Sequence, residues 1–266
     1  MTARGGQVRG ALGKLGATFI DGAVGLGSVT LLIGGALRRL TRAPRRTETY
    51  LYQLVQLGVR SLPLTLATSA FVGMVLAYQF GYGLSRFGAR LFIGQATVTS
   101  LVRELAPILI ALVVGGRVGA GIAAELGGMA VSEQIAAVQA LGADPLQRLV
   151  APRLVAVMVS LPLLSVAADV TGFLSSMLVA RWEYDVGPRL YVRGVLDFVT
   201  LADLLSGLIK TVVFALLVSA IACREGLRAT GGTEGVGRAT TRSVVATALA
   251  ILAADLLLTK LLLTWT

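Results

Sequence analysis

Five stretches of the sequence are apolar over lengths close to the thickness of a lipid bilayer. They cover residues 61–85, 91–116, 154–180, 204–223 and 243–264. The hydrocarbon core of a bilayer is about 30 Å thick, and a helix of roughly 20 apolar residues crosses it. Over the whole chain 55% of the residues are hydrophobic and only 14% are charged, which leaves little sequence for a soluble domain. Because the stretches are continuous rather than alternating, we predict an all-α integral membrane protein with five transmembrane helices.

The N-terminal segment, residues 1–49, differs in composition from the membrane domain predicted for residues 50–266. An uncharged, glycine-rich stretch of sixteen residues, 22–37, precedes a run of arginines that begins at Arg38. This stretch is short for a span, and its basic flank suits the anionic surface of a membrane. We therefore favour a helix in the membrane interface over a short additional span, and the sequence leaves the depth of residues 15–37 open.

The distribution of basic residues predicts an orientation in the membrane. With the N-terminus inside, the inner segments 1–60, 117–153 and 224–242 carry 16 Lys and Arg residues, whereas the outer segments 82–95 and 181–197 carry 5. The positive-inside rule thus favours a cytoplasmic N-terminus and a C-terminus on the opposite side. Since the arginines lie between spans, the net charge of +10 does not indicate a nucleic-acid-binding surface.

Four charged residues within the predicted spans are the first candidates for a function. Arg103 and Glu104 lie in the second span, Lys210 in the fourth and Asp255 in the fifth. A charge at the bilayer centre costs at least ~2.5–3.5 kcal/mol, so such residues usually have a role. Adjacent residues of a helix do not face each other, so Arg103 and Glu104 are expected to pair with other helices. Lys210 and Asp255 are the candidate partners of opposite sign.

Pro107, in the second span, lies close to Arg103 and Glu104 in the sequence. It has no N–H for the carbonyl of Arg103, four residues earlier, so the helix is expected to kink and free a polar backbone group there. Together with the charges this predicts the wall of a polar cavity, and the alternative is a structural ion-pair network without a ligand. Asp169 and Lys260 are weaker candidates, since Lys260 lies near a helix end and can extend to the interface.

A short amphipathic segment, residues 132–142, lies between the second and third spans. Ser132 is placed to cap a helix, and Gly142 is placed to end it. The apolar face of this helix comprises Ile135, Val138 and Leu141. On the cytoplasmic side such a helix can dock a soluble partner, and the alternative is a connecting loop with a surface helix.

Missing residue types exclude several kinds of chemistry. The chain has no histidine and one cysteine, Cys223, so we expect no zinc or haem site, no Ser-His-Asp triad and no internal disulfide. A phosphate-binding loop is also missing, because Gly13-Lys14 is followed by Leu15 instead of Ser or Thr. We therefore predict a non-catalytic chain with no cofactor and no metal site. An ATP-driven function would place the ATPase on another chain.

Three blocks of sequence resemble a known family. They are LVRELAPILIALVVGGRVGAGIAAELGGMAVSEQIAAVQALGADPLQRLVAPR (101–153), LIKTVVFA (208–215) and GVGRATTRSVV (235–245). In this order and at this spacing they resemble the MlaE permease family of Mce-type lipid ABC transporters. The resemblance extends over about residues 50–263, which is nearly the whole chain after the N-terminal segment.

The resemblance implies a fold, a function and a set of partners. The fold is an N-terminal interfacial helix followed by five spans, with a cytoplasmic coupling helix between spans 2 and 3. The implied function is phospholipid transport between the bacterial inner membrane and an MCE-domain conduit toward the outer membrane, which maintains lipid asymmetry. The implied partners are a second copy of the chain in a homodimer, a cytoplasmic ABC ATPase, an MCE-domain protein and often a STAS-domain protein.

The resemblance also assigns roles to particular residues. Arg103, Glu104, Lys210 and Asp255 fall where the family keeps its intramembrane polar residues, and Arg103 and Lys210 would meet the lipid phosphate. The coupling helix would contact the ATPase through Glu133, Gln134, Ile135, Val138, Leu141 and Gly142. Two alternatives stay open at this point: a secondary transporter that uses the buried charges, and the same complex with a sterol or another apolar cargo.

Overall fold

The computed structural model describes residues 47–264 together with Gly27, Gly34 and Gly35. Within this part of the chain the regular structure is entirely helical. The α-helices are α1 (Thr47–Leu57), α2 (Leu62–Arg86), α3 (Ile93–Ser100), α4 (Ala106–Val131), α5 (Gln134–Ala140), α6 (Ala151–Tyr184), α7 (Pro188–Phe198), α8 (Leu201–Leu227) and α9 (Gly232–Leu263). Most of the predicted N-terminal interfacial segment lies outside the described residues.

Within residues 47–264, five helical runs are long and apolar enough to cross a membrane, which confirms the five spans predicted there. They are Glu48–Arg86, Arg90–Val131, Leu146–Tyr184, Leu201–Leu227 and Gly232–Leu263. The second run continues fifteen residues beyond the predicted end at Gly116. Arg117 does not interrupt it, because its guanidinium donates to Ser61 Oγ at 2.6 Å.

Two of the spans contain a π-turn directly before an Ala-Pro pair. The turns are Leu101–Leu105 before Pro107 and Leu146–Val150 before Pro152. A proline lacks the N–H and crowds the carbonyl four residues earlier, and a wider turn relieves both problems. In the first turn the Ala106 N–H accordingly donates to Leu101 O, five residues back. The irregularity predicted beside Pro107 therefore takes the form of a π-turn.

The helix bundle is held by close contacts between small residues. Helix α2 packs along α6, and α4 packs along both α8 and α9. At Gly73 an added Cβ would overlap the backbone of Gly172, and at Gly226 it would lie 3.0 Å from the carbonyl oxygen of Ala123. Such contacts let helix backbones approach each other in lipid, where the hydrophobic effect does not drive helices together.

The short helix α5 confirms a helical segment between the second and third spans, but it begins two residues later than predicted. Ser132 Oγ donates to Gly128 O at 2.7 Å, so Ser132 ends α4, and the prediction that it caps the next helix is wrong. Glu133 makes the turn in a left-handed conformation with φ 58°. Gly142 ends α5 as predicted, with φ 73°, which a glycine adopts without strain.

Helix α7, in the connection between the third and fourth spans, was not predicted. Its inner side is anchored by Tyr191, which is fully buried with its hydroxyl 2.8 Å from Ser176 Oγ. Burial raises the pKa of Tyr191 to about 12, so this side chain stays neutral. Leu196 and Phe198 are exposed on the same short helix. The segment mixes apolar residues with arginines and is too short to be a span. The sequence analysis therefore counted it only as part of the outer connection between two spans.

Candidate functional site

Three of the four predicted intramembrane charges meet around Lys210. The Lys210 ammonium lies 3.2 Å from Asp255 Oδ1 and donates to Glu104 Oε2. It also donates to Thr259 Oγ1 at 2.7 Å. Lys210 is only 1% exposed. Its contacts join α8 to the π-turn Leu101–Leu105, which comes directly before α4, and to α9. We call Glu104, Lys210, Asp255 and Thr259 the Lys210 network.

Thr259 belongs to this network although the sequence analysis did not select it. Its hydroxyl lies 3.2 Å from Glu104 Oε2 and so bridges the carboxylate and the ammonium. The available signal was its position four residues after Asp255, which puts both side chains on one face of α9. A threonine in an apolar helix is too common for that spacing to be noticed without a structure.

Arg103, the fourth predicted charge, does not belong to the Lys210 network and pairs instead with a residue that was not predicted. Its guanidinium lies 3.3 Å from Asp203 Oδ1 at the start of α8. The other oxygen of Asp203 accepts from the backbone N–H of Thr200 at 2.8 Å, in a reciprocal capping box. The sequence Thr200-x-x-Asp203 before an apolar run is a capping-box signal for the start of α8, but it does not indicate that Asp203 meets Arg103. Adjacent Arg103 and Glu104 thus go to different partners, as expected for neighbours on a helix.

The π-turn and a glycine of α8 bring the network together. Gly207 lies against the π-turn, where an added Cβ would overlap the Val102 carbonyl oxygen and lie 3.3 Å from Pro107 Cγ. Lys210 is one helical turn further along α8, so this contact sets its distance from Glu104. The glycine is needed because no side chain fits between the two backbones.

Replacing Gly207 by valine is therefore expected to push α8 away from the π-turn and to separate Lys210 from Glu104. We expect a loss of about 2–3 kcal/mol of stability, the typical result of overpacking a helix interface. Thermal unfolding of the purified protein measures this loss. Gly121→Val is the matched control, because an added Cβ at Gly121 meets no atom within 4 Å. Equal melting temperatures for the two variants would contradict the assigned contact.

The accessibility of the charges divides them into two groups. The Lys210 ammonium donates to Glu104 and Thr259, and its third neighbour is Asp255 Oδ1, an ion-pair contact at 3.2 Å without a hydrogen bond. Because Lys210 is buried behind these oxygens, a phosphate reaches its ammonium only after one of the contacts opens. The side chains of Glu104 and Arg103 are 39% and 26% exposed. One lysine faces two carboxylates, so the network carries an excess negative charge while all its members are ionised. Of the two predicted intramembrane cations, Arg103 is therefore the more accessible in this conformation.

Asp169 and Lys260, the two weaker candidates, take no part in the ion pairs of the described residues. Asp169 Oδ1 is buried and has no hydrogen-bond partner there, whereas Lys260 is exposed near the end of α9. The position of Lys260 fits a side chain that extends to the interface.

The predicted coupling residues lie at the other end of the bundle, on or beside α5. Glu133, Gln134 and Leu141 are exposed, with Leu141 at 85%, and Ile135 and Val138 are half-buried. Gly142 and Val138 line a cavity of about 620 Å³ beside this helix. Leu141 therefore presents an uncovered apolar side chain at the end of α5.

An ion pair that was not predicted ties together the two helices that flank α5. Arg153 at the start of α6 lies 2.6 Å from Glu125 near the end of α4. Arg153 is 4% exposed and also donates to Leu149 O at 2.5 Å. Sequence reasoning read Arg153 as a positive-inside residue, and its spacing from Glu125 gives no sign that the two meet. We call this pair the Glu125–Arg153 clamp.

Comparison with known proteins places these features in a family. The family model for Permease MlaE matches residues 50–261. A probable ABC transporter permease protein of Rickettsia felis is 38% identical over 248 residues, which are 93% of this chain and 96% of the relative. The intermembrane phospholipid transport system permease protein MlaE of Haemophilus influenzae is 34% identical over 252 residues, or 94% of this chain and 97% of the relative.

A plant relative shows the same similarity outside bacteria. The chloroplastic protein TRIGALACTOSYLDIACYLGLYCEROL 1 of Arabidopsis thaliana is 36% identical over 233 residues, which are 88% of this chain and 67% of the relative. With five candidate spans and a family match over most of its length, this chain is a multi-pass membrane permease subunit that belongs to the MlaE permease family.

Proposed function

We propose that the chain is the transmembrane subunit of an ATP-driven transporter that moves phospholipid between the bacterial inner membrane and an MCE-domain conduit toward the outer membrane. The Haemophilus influenzae relative is named as the permease of an intermembrane phospholipid transport system, which supports phospholipid as the cargo. The sequence contains no phosphate-binding loop, so the ATPase is a separate cytoplasmic chain. In this assembly the permease is a homodimer, with an MCE-domain protein on the outer side and a STAS-domain protein as an accessory subunit.

The single observation that carries the ATP-driven assignment is the exposed α5 between two long spanning helices. Leu141 is 85% exposed and lies at the end of this helix, where it presents an apolar side chain for an ATPase groove. The orientation with a cytoplasmic N-terminus and a periplasmic C-terminus puts α5 on the side of the membrane where ATP is available.

The Lys210 network and Arg103 form the wall of the lipid path in this proposal. Arg103 is the partly exposed cation and makes the first contact with a lipid phosphate, while Asp203 holds its guanidinium in place. Lys210 becomes available when α8 moves away from the π-turn of the second span or from α9, because its contacts with Glu104 and Asp255 join α8 to these two elements. Binding of ATP in the partner supplies the work for that movement.

Leu141→Asp is expected to abolish assembly with the ATPase while the permease itself stays folded. The change puts a charge into the centre of the docking surface, where a buried unpaired charge costs several kcal/mol. The measurements are co-purification of the cytoplasmic ATPase subunit with the permease and ATP-dependent movement of a labelled phospholipid in proteoliposomes. Glu133→Arg is expected to weaken the same interaction by reversing a charge next to α5.

Leu196→Asp on α7 is the matched control for Leu141→Asp, because Leu196 is also exposed but lies between the third and fourth spans. Normal co-purification and transport with Leu141→Asp would refute the docking role. Transport by the chain alone without ATP would instead favour a secondary transporter, and movement of a sterol in preference to phospholipid would reassign the cargo.

A further inference from the structure

A basic pocket lies where α8 ends and α9 begins, far along both helices from the Lys210 network. It has a volume of about 630 Å³, and its lining includes Arg224, Glu225, Arg228, Arg238 and Arg242. Gly226 packs on Ala123 of α4, so the pocket is at the same end of the bundle as α5. Four arginines and a single carboxylate leave the lining with a clear excess of positive charge. We call it the arginine pocket.

Two of the four arginines are already matched by carboxylates. Arg224 pairs with Glu225 and Arg238 with Glu234, each at 2.5 Å. Arg228 and Arg242 have no ion pair with any residue that the structure describes, and both side chains are exposed. Each guanidinium offers paired N–H donors in a fork that matches an anionic phosphate or carboxylate group.

The surroundings of the pocket distinguish a lipid from other phosphate compounds. Val245 and Leu249 follow Arg242 by three and seven residues on the same face of α9, and they are 53% and 64% exposed. The same face thus carries Arg238 and Arg242 first and apolar side chains on the next two turns. A ligand that satisfies both parts has an anionic phosphate head and an apolar tail beside it. Val245 and Leu249 lie in a candidate membrane span, so an acidic peptide or a nucleotide would have to place polar backbone or sugar groups there, whereas a lipid places its tails.

We propose that the arginine pocket binds the phosphate group of an anionic phospholipid whose tails lie along the start of α9. Basic pockets between transmembrane helices are known to hold lipid headgroups in this way. Arg228 and Arg242 supply the charge that is not neutralised within the protein. The site is separate from the Lys210 network and does not depend on phospholipid being the transported cargo.

The test is native mass spectrometry of the full chain, purified in detergent and titrated with phosphatidylglycerol, phosphatidylcholine or inorganic phosphate. We expect the wild type to bind phosphatidylglycerol more tightly than phosphatidylcholine. In the double variant Arg228→Gln/Arg242→Gln we expect the affinity for phosphatidylglycerol to fall by roughly thirtyfold, from the loss of two arginines at a phosphate. Because both side chains are exposed, the variant is expected to keep its wild-type melting temperature.

The matched control is Arg189→Gln/Arg193→Gln on α7, which removes the same charge from exposed residues four apart on another helix. Unchanged phosphatidylglycerol affinity in Arg228→Gln/Arg242→Gln would overturn the proposal. An equal fall in the control would also overturn it, since the effect would then reflect net charge alone. Binding of inorganic phosphate without any preference for phosphatidylglycerol would assign the pocket to free phosphate instead of lipid. The titration contains no ATPase and no ATP, so failure of the transport proposal leaves its result intact.

Discussion

Lys210→Met is expected to destabilise the protein by about 3 kcal/mol and to abolish phospholipid transport. The substitution leaves Glu104 and Asp255 facing each other at one site without the cation that now separates them. Removing one partner of a buried ion pair typically costs 3–5 kcal/mol, and we take the lower end because the side chain of Glu104 is 39% exposed. Thermal unfolding and ATP-dependent lipid movement in proteoliposomes measure the two effects.

A second variant separates the structural from the functional consequence of losing Lys210. In Lys210→Met/Glu104→Gln/Asp255→Asn the neutral amides replace the carboxylates, so the repulsion is removed and most of the stability is expected to return. Transport is expected to stay absent, because Lys210, one of the two cations assigned to the lipid phosphate, is gone. Recovery of both stability and transport would show that the network has only a structural role. The buried charges would then be a structural ion-pair network without a ligand.

Breaking the Glu125–Arg153 clamp is expected to uncouple ATP hydrolysis from transport. Arg153→Met removes the tie between α4 and α6, the helices on either side of α5, without touching the docking surface. The ATPase should therefore still bind and hydrolyse ATP, while lipid movement per ATP falls by roughly tenfold, equivalent to a coupling energy of about 1.4 kcal/mol. The ratio of the two rates, measured in the same proteoliposomes, is the relevant quantity.

The control for the clamp is Arg181→Met at the other end of α6, which breaks an exposed ion pair with Asp185. Exposed pairs contribute little, so we expect no change in the ratio of transport to hydrolysis. Glu125→Gln is expected to repeat the effect of Arg153→Met, since it removes the same interaction from the opposite side. A normal ratio in both clamp variants would contradict the role of the clamp in transmission.

Much of the fold was predictable because membrane spans are determined by local composition. An apolar stretch of about 20 residues has to be helical in lipid, since its backbone polar groups find no other partners there. The ends of the spans were less predictable. Arg117 appears in the sequence as the edge of the membrane, yet its contact with Ser61 keeps it inside a continuous helix. The boundary between α4 and α5 was likewise misjudged by two residues, because Ser132 bonds backward instead of forward.

The candidate site was only partly predictable, since pairing across helices depends on their relative position. The cost of a buried charge identified Glu104, Lys210 and Asp255 individually. Their contact depends on Gly207, which lets α8 approach the π-turn, and the sequence does not indicate which helix comes close. Thr259 and Asp203 were missed for the same reason, because neither is unusual until its partner is known.

The sequence by itself predicted five membrane spans within residues 61–264, membership of the MlaE permease family and charged residues at membrane depth. These properties follow from composition and from motifs that are local in the chain. Only the tertiary structure decided that Lys210 is enclosed by Glu104, Asp255 and Thr259, that Arg103 belongs to Asp203, and that Glu125 meets Arg153. Each of these contacts joins residues from different helices, and the packing of the helices, which no single segment encodes, sets the distance between them.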